Sequence, residues 1–212
     1  MRAALSIVMG TLVVLAGCSS AKESLPPQAD STAPVLAPGR PGEVARTLSP
    51  SEAATAAPTP TANAADVKFM QDMIVHHRQA IDMSALAPTR AAAEKLKGLA
   101  ARIKAAQGPE IQYMTTWLKE LGQKVPEHHA AHEGMAGMAT PEELGSLKSA
   151  TGPAFDRLFL QLMIKHHMGA IKMAETVLRN GSHVRIEELA GDVSITQTAE
   201  IRRMQQMQKE LA

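Results

Sequence analysis

DVKFMQDMIVHHRQAIDM, Asp66 to Met83, and DRLFLQLMIKHHMGAIKM, Asp156 to Met173, are one segment written twice. A shift of 90 residues aligns them without a gap, and 10 of 18 positions are identical: Asp66, Phe69, Gln71, Met73, Ile74, His76, His77, Ala80, Ile81 and Met83. The register continues downstream, where Leu99, Gln107, Glu110, Ile111, Met114 and Leu121 recur as Leu189, Gln197, Glu200, Ile201, Met204 and Leu211. A duplication that keeps polar residues in step with apolar ones makes those polar residues part of the design, and it implies a pseudo-symmetric pair of sites.

Each copy reads as two helices. Phe69, Met73, Ala80, Met83 and Ala87 recur at three, four and seven, the period of an amphipathic helix. His76 lies on this stripe, and His77 lies on the adjoining one with Met70, Ile74 and Ile81. Asp66 can start the helix and Pro88 stop it. In the second copy the stripe is Phe159, Met163, His166, Ala170, Met173 and Val177, with Asn180-Gly181 as a left-handed C-terminal cap. The second helices are expected over about 90–121 and 182–211, carrying Ile103, Gln107, Glu110, Met114, Trp117 and their counterparts from Val193 to Met207. Gly108-Pro109 should kink or split the first of these. With no period-two runs, strands are not expected. The fold class is all-α, an up-and-down four-helix bundle of two duplicated hairpins.

The N-terminus has a different character. Arg2, an apolar run from Ala3 to Ala16, and Leu15-Ala16-Gly17-Cys18 read as a signal peptide over 1–17 with a lipobox. The run is too short to span a bilayer comfortably. Cys18, the one cysteine, is then the lipidated first residue of a mature protein anchored to the outer face of the cell or outer membrane, and the exported part has neither disulfide nor thiolate ligand. Residues 18–62, with eight of the thirteen prolines, read as a flexible Pro/Ala/Ser/Thr-rich tether. Residues 63–212 form one domain: repeat 1 over about 66–122, a His/Met loop over 123–145 and repeat 2 over about 154–212. A net charge of +1 and an aromatic content of 2% give nucleic acid no support as a partner.

The stripes put imidazoles on the first helices and Gln/Glu pairs on the second. Burying an unpaired carboxylate is costly, so His76 should face Glu110 and His166 should face Glu200. Two readings stay open. In one, these hydrogen bonds only fix helix register. In the other, His76, His77, His166 and His167 bind a metal ion, Met73 and Met163 add soft donors, and Glu110, Glu200, Gln107 and Gln197 orient the imidazoles. Adjacent side chains on a helix diverge by about 100°, so a site needs donors from both copies meeting at the pseudo-twofold axis. Met70 and Met168 also flank the histidines, while Met83, Met114, Met173 and Met204 suit packing. Between the copies, His128, His129, His132, Met135 and Met138 fall within eleven positions among glycines, either a solvated linker or a capture loop. Thioether with imidazole suits copper, Cu(I) in particular, better than zinc or iron, although another transition metal stays open.

Together, the two M-x-x-H-H-x-x-A-I-x-M blocks, the G-M-A-G-M-A-T-P-E-E-L segment from Gly134 and the two Q-x-x-E-I pairs resemble the bacterial family called domain of unknown function 305, over about Asp66 to Leu211. That resemblance implies a ferritin-like bundle and, for some relatives, copper binding and copper tolerance. A ferritin-type di-iron centre does not follow, because the Glu-x-x-His motifs it needs are replaced by Met73 and Met163 three residues before the histidines. No nucleophile with a partner and no phosphate-cradling glycine motif is present, so no catalytic residue is assigned. The expectation is an extracytoplasmic, lipid-anchored protein that sequesters or hands on copper. The alternative is an envelope scaffold with a structural His–Glu network and a protein partner still to be identified, and a redox reaction on bound copper stays open.

Overall fold

The computed structural model describes residues 35–37, 44–56, 61–127 and 134–211. The chain divides into two units, 1–58 and 59–212. The signal-peptide segment, Cys18, His128, His129 and His132 lie outside the described residues.

In the first unit, β1 (Val35–Ala37) pairs antiparallel with β2 (Arg46–Leu48), and α1 (Pro50–Ala56) follows. The expectation of no strands is therefore corrected. The ladder is three residues long, too short for a period-two pattern to register in the sequence.

The second unit is built from four long helices: α2 (Ala64–Arg90), α3 (Glu94–Glu120), α5 (Gly152–Asn180) and α6 (Val184–Glu210), with a short α4 (Pro141–Ser149) between the copies. Helices α2 and α3 form one hairpin, α5 and α6 the other, and α2 packs against α5. The start of α2 meets the end of α5 through Asn63 Nδ2, which donates to the Asn180 carbonyl at 2.8 Å. These two helices are therefore antiparallel.

The duplicated aspartates hold the two hairpins together. Asp156 accepts from the backbone N–H groups of Ala92 (3.1 Å) and Ala93 (2.9 Å) in the α2–α3 turn. Asp66 accepts from Ser182 N (3.1 Å) in the α5–α6 turn. Each copy thus satisfies backbone donors in the turn that leads into the other copy's second helix. Asp66 is not itself the cap of α2: Asn63 is, in a capping box with Asp66.

Proline and glycine account for most differences from the expected boundaries. Helix α2 continues through Pro88 to Arg90, and α3 continues through Pro109 without splitting. Pro109 and Ala105, whose carbonyl loses its helical donor, are both exposed, so water can take the place of the missing N–H. Gly181 has φ −74°, extended rather than left-handed. Glycine is needed there because a Cβ would lie 2.5 Å from Asp66 Oδ1. The second helices begin at Glu94 and Val184, later than the 90 and 182 expected.

The expected loop over 123–145 ends early, because Thr140 caps α4 in a capping box with Glu143 and Pro141 opens the helix. Leu147 anchors α4 in the core. That core has two apolar layers. One includes Met83, Leu96, Leu99, Ile103, Phe155, Phe159 and Met163; the other includes Phe69, Met70, Met73, Met114, Leu118 and Val193. Among the described residues no helix is long and apolar enough to cross a membrane.

Candidate metal site

All four repeat histidines, His76, His77, His166 and His167, are fully buried where α2 crosses α5. Because α2 and α5 are antiparallel, the inner pair meets across the axis: the His76 and His166 ring centroids are 3.7 Å apart with planes tilted by 38°. The outer pair points to the second helix of its own hairpin. His77 Nε2 lies 2.7 Å from Glu110 Oε2 and His167 Nε2 lies 2.6 Å from Glu200 Oε2. The expected partners, His76 with Glu110 and His166 with Glu200, are therefore corrected by one residue. The step of about 100° along the helix carries the second imidazole of each pair to the carboxylate and the first to the opposite copy.

These bonds select nitrogen atoms. A carboxylate only accepts, so the proton sits on Nε2 of His77 and His167, and in the neutral ring the lone pair is on Nδ1. Both Nδ1 atoms are buried without a hydrogen-bond partner. A carboxylate that orients an imidazole by its far nitrogen is a common arrangement behind metal-binding histidines. His166 is held differently. Burial first, then the charges of His76, His167 and His77, push its pKa well below the ordinary histidine range, so the ring is neutral. Neither of its nitrogens makes a hydrogen bond of good geometry, although the backbone of His76 lies close enough to pull the pKa part of the way back up. Leaving such a group unsatisfied costs about 1–3 kcal/mol, and a soft metal ion taking the lone pair would remove part of that cost.

Met73 and Met163 are fully buried, one in each apolar layer. Met70 is buried as well, whereas Met168 is 60% exposed, which removes it from the bundle interior. Gln107 and Gln197 are buried, but their side-chain oxygens have no partner and neither is bonded to a histidine. With Glu110 and Glu200 they line a cleft of about 10 Å³ between α3 and α6, roughly the space of one water. Among the described residues, no three His, Cys, Asp or Glu side chains are grouped to hold an ion by themselves.

One element near the histidines was not read from the sequence. The stretch Gly134–Ala139 lies across the bundle as a strap. His76 Nε2 donates to the Ala136 carbonyl at 3.1 Å. Gln79 Nε2 donates to the Ala139 carbonyl (3.0 Å) while its Oε1 accepts from Ala139 N (2.7 Å). Met138 is buried by this path, and Met135 is partly covered beside Gln71 and Val75. A signal was available: Gln79 is a buried amide on the apolar side of α2 at a position where the second copy has Gly169.

The family model for domain of unknown function (DUF305) matches residues 66–208. The chain belongs to this family. Among solved structures, a DUF305 fragment from Deinococcus radiodurans is 33% identical, covering 71% of this chain and 99% of that one, with a TM-score of 0.65. A secreted DUF305 protein from Streptomyces coelicolor, so described provisionally, is 32% identical over 69% of this chain and 92% of its own, with a TM-score of 0.64. CopM in its Cu(II)-bound form is 34% identical over 69% of this chain and 97% of its own, with a TM-score of 0.62. CopM has also been solved bound to Cu(I) and to Ag. No curated protein matches the chain significantly.

Proposed function

We propose that this DUF305 protein is an extracytoplasmic, lipid-anchored metal-binding protein that takes up copper through imidazole and thioether donors and holds it or passes it on without turning over a substrate. The observation that carries this reading is His166: a fully buried imidazole without a hydrogen bond of good geometry on either nitrogen, its pKa pushed down by burial, with its centroid 3.7 Å from that of a tilted second imidazole delivered by the other copy. His77 and His167 would join through Nδ1, each oriented by its glutamate, and Met73 and Met163 would supply the soft donors that favour Cu(I). Glu110 and Glu200 hold the outer imidazoles. Gln107 and Gln197 border that carboxylate layer. Copper-bound forms of CopM support the choice of metal. Export and anchoring rest on residues 1–18, with Cys18 as the lipidated residue, and a secreted relative is in keeping with export. His128, His129 and His132 remain candidate capture residues, contiguous in sequence with Met135 and Met138 of the strap.

The test is a Cu(I) competition titration against bicinchoninate on the full chain and on a His76→Leu/His166→Leu variant. The expected result is a loss of affinity of at least about 100-fold, the upper end of what losing only an orienting partner costs, with the helical signal retained. Unchanged affinity would remove the bundle from the proposal.

The completed His77–Glu110 and His167–Glu200 bonds favour a second reading, in which the network is structural and the bundle docks an envelope protein. A partner captured equally well with a copper chelator present, together with absent Cu(I) binding, would favour it.

A further inference from the structure

The two copies superpose on a shift of 90 residues, so His76 and His166 occupy equivalent positions, as do Gln79 and Gly169. Equivalent positions should have equivalent surroundings, and at these two they do not. The strap Gly134–Ala139 belongs to the connection between the copies, so it exists once and reaches one side of the axis. On α2 it is gripped by both ends of the Gln79 amide. On α5 it passes directly over Gly169: a Cβ there would lie 2.7 Å from Gly137 Cα and closer still to the Ala136 carbonyl. The approach is mutual, since a Cβ on Gly137 would lie 2.6 Å from the Lys165 carbonyl and 2.8 Å from Gly169 Cα. Gly137 also has φ +79°, which side chains rarely adopt. One sequence position has therefore diverged in two complementary ways. In the first copy it is an amide that binds the strap. In the second it is the absence of a side chain that admits it.

The consequence falls on the inner histidines. The Ala136 carbonyl is an acceptor only, so the bond at 3.1 Å requires the proton on His76 Nε2 and, in the neutral ring, puts the lone pair on Nδ1. No strap carbonyl bonds His166; the nearest backbone to its ring is that of His76, and neither nitrogen makes a bond of good geometry. We propose that Gln79 and Gly169 are positioning residues that seat the Gly134–Ala139 strap, so that Ala136 fixes the tautomer of His76 and makes two pseudo-equivalent imidazoles into unequal metal donors. His76 then carries its lone pair on one predetermined nitrogen, a constraint that the strap does not place on His166. The metal-binding consequence rests on the copper reading above; the tautomer does not.

The experiment reads the two separately. Imidazole ¹⁵N spectra of the metal-free full chain are compared with those of Gln79→Ala and Gly169→Ala, and Cu(I) affinity is measured by competition with bicinchoninate. In the unsubstituted chain the His76 shifts should be those of a ring protonated at Nε2. In both variants they should move toward a mixture of tautomers, with the His77 and His167 signals unchanged because their glutamates are untouched. Cu(I) affinity should fall about 10-fold, the usual scale for losing a partner that orients a ligand. Gln79→Ala only removes atoms, so it keeps the test valid if Gly169→Ala folds poorly. Variants with unmoved His76 shifts overturn the proposal whatever the affinity. Moved shifts with unchanged Cu(I) affinity overturn the link to metal. If the unsubstituted chain binds no Cu(I), the copper reading fails, and the His76 shifts alone decide the role of the strap.

Discussion

The outer histidines, His77 and His167, and the inner ones, His76 and His166, are neighbours in sequence and differ in how they are held. Each outer imidazole bonds a glutamate 33 residues further on, inside its own hairpin, and the same bond occurs in both copies. Each inner imidazole meets the other copy, and only one of the two is bonded by the strap. Duplicating a hairpin duplicates every contact made within it. Contacts on the axis, and the segment joining the copies, occur once and are free to differ. Symmetry in this bundle therefore marks what builds a hairpin, and its loss marks where the two hairpins were specialised.

The largest expected effect tests the outer pair. Glu200→Ala leaves a fully buried imidazole N–H without its acceptor, and the Glu200 side chain is itself only 9% exposed, so the loss of stability should be about 3 kcal/mol, the upper end for a buried donor left unpaired. Glu110 makes the same bond with a side chain 27% exposed, where water can replace the lost acceptor, so Glu110→Ala should cost only about 1 kcal/mol. Urea unfolding midpoints measure both, and equal losses would break the distinction between the two copies.

The inner pair carries the next effect, in the metal-free protein. The folded-state pKa of His166 is depressed, so the unfolded chain takes up a proton near pH 6.5 that the folded chain refuses. This contribution is complete above the unfolded value and declines as pH falls below it, by up to about 1.4 kcal/mol per pH unit. Because His76, His77 and His167 face the same compartment, the readout is the difference between chains: His166→Phe should flatten the stability profile between pH 6.5 and 5. Parallel profiles would show that His166 is not the group kept neutral.

The smallest effect concerns the flank of the inner site. Lys165, which replaces Val75 of the first copy, donates to both carboxylate oxygens of Glu143 on α4 at 2.9 and 2.8 Å. That bond first, and the Thr140 N–H second, hold the Glu143 carboxyl below the usual range. The stabilisation is present above the unfolded carboxylate value and is lost as pH falls through the folded one. With side chains 43% and 34% exposed, the ion pair contributes under about 1 kcal/mol. Glu143→Gln keeps the capping geometry and should lower the Tm by about 2 °C at neutral pH, less at high salt. A shift that salt leaves unchanged would assign the effect to the cap instead of the charge.

Much of the fold was legible. The 3.6-residue period reports a helix wherever one face is buried, and the repeat reports two equivalent hairpins. Turn chemistry was less faithful. Pro109 reads as a break, yet its missing bond falls on the solvent face. Gly181 reads as a left-handed cap, yet its glycine serves a close approach to Asp66. Thr140-Pro141-Glu142-Glu143 carries a helix-start signature that the surrounding glycines and histidines obscured. The site was partly legible. That imidazoles from both copies meet inside the bundle follows from composition and spacing, but the partner of each imidazole does not, because α2 has α3 on one side and α5 on another.

The amino-acid sequence by itself determined the helices, their pairing into two like hairpins and the burial of imidazole, thioether and carboxylate on facing stripes, since periodicity and duplication are local properties of the chain. Only the tertiary structure decided that His77 and not His76 meets Glu110, that His76 and His166 meet each other, and that Gln79 and Gly169 seat a strap between them. Those outcomes depend on the order and direction in which helices pack, and a rotation of one residue step, about 100°, changes every partner.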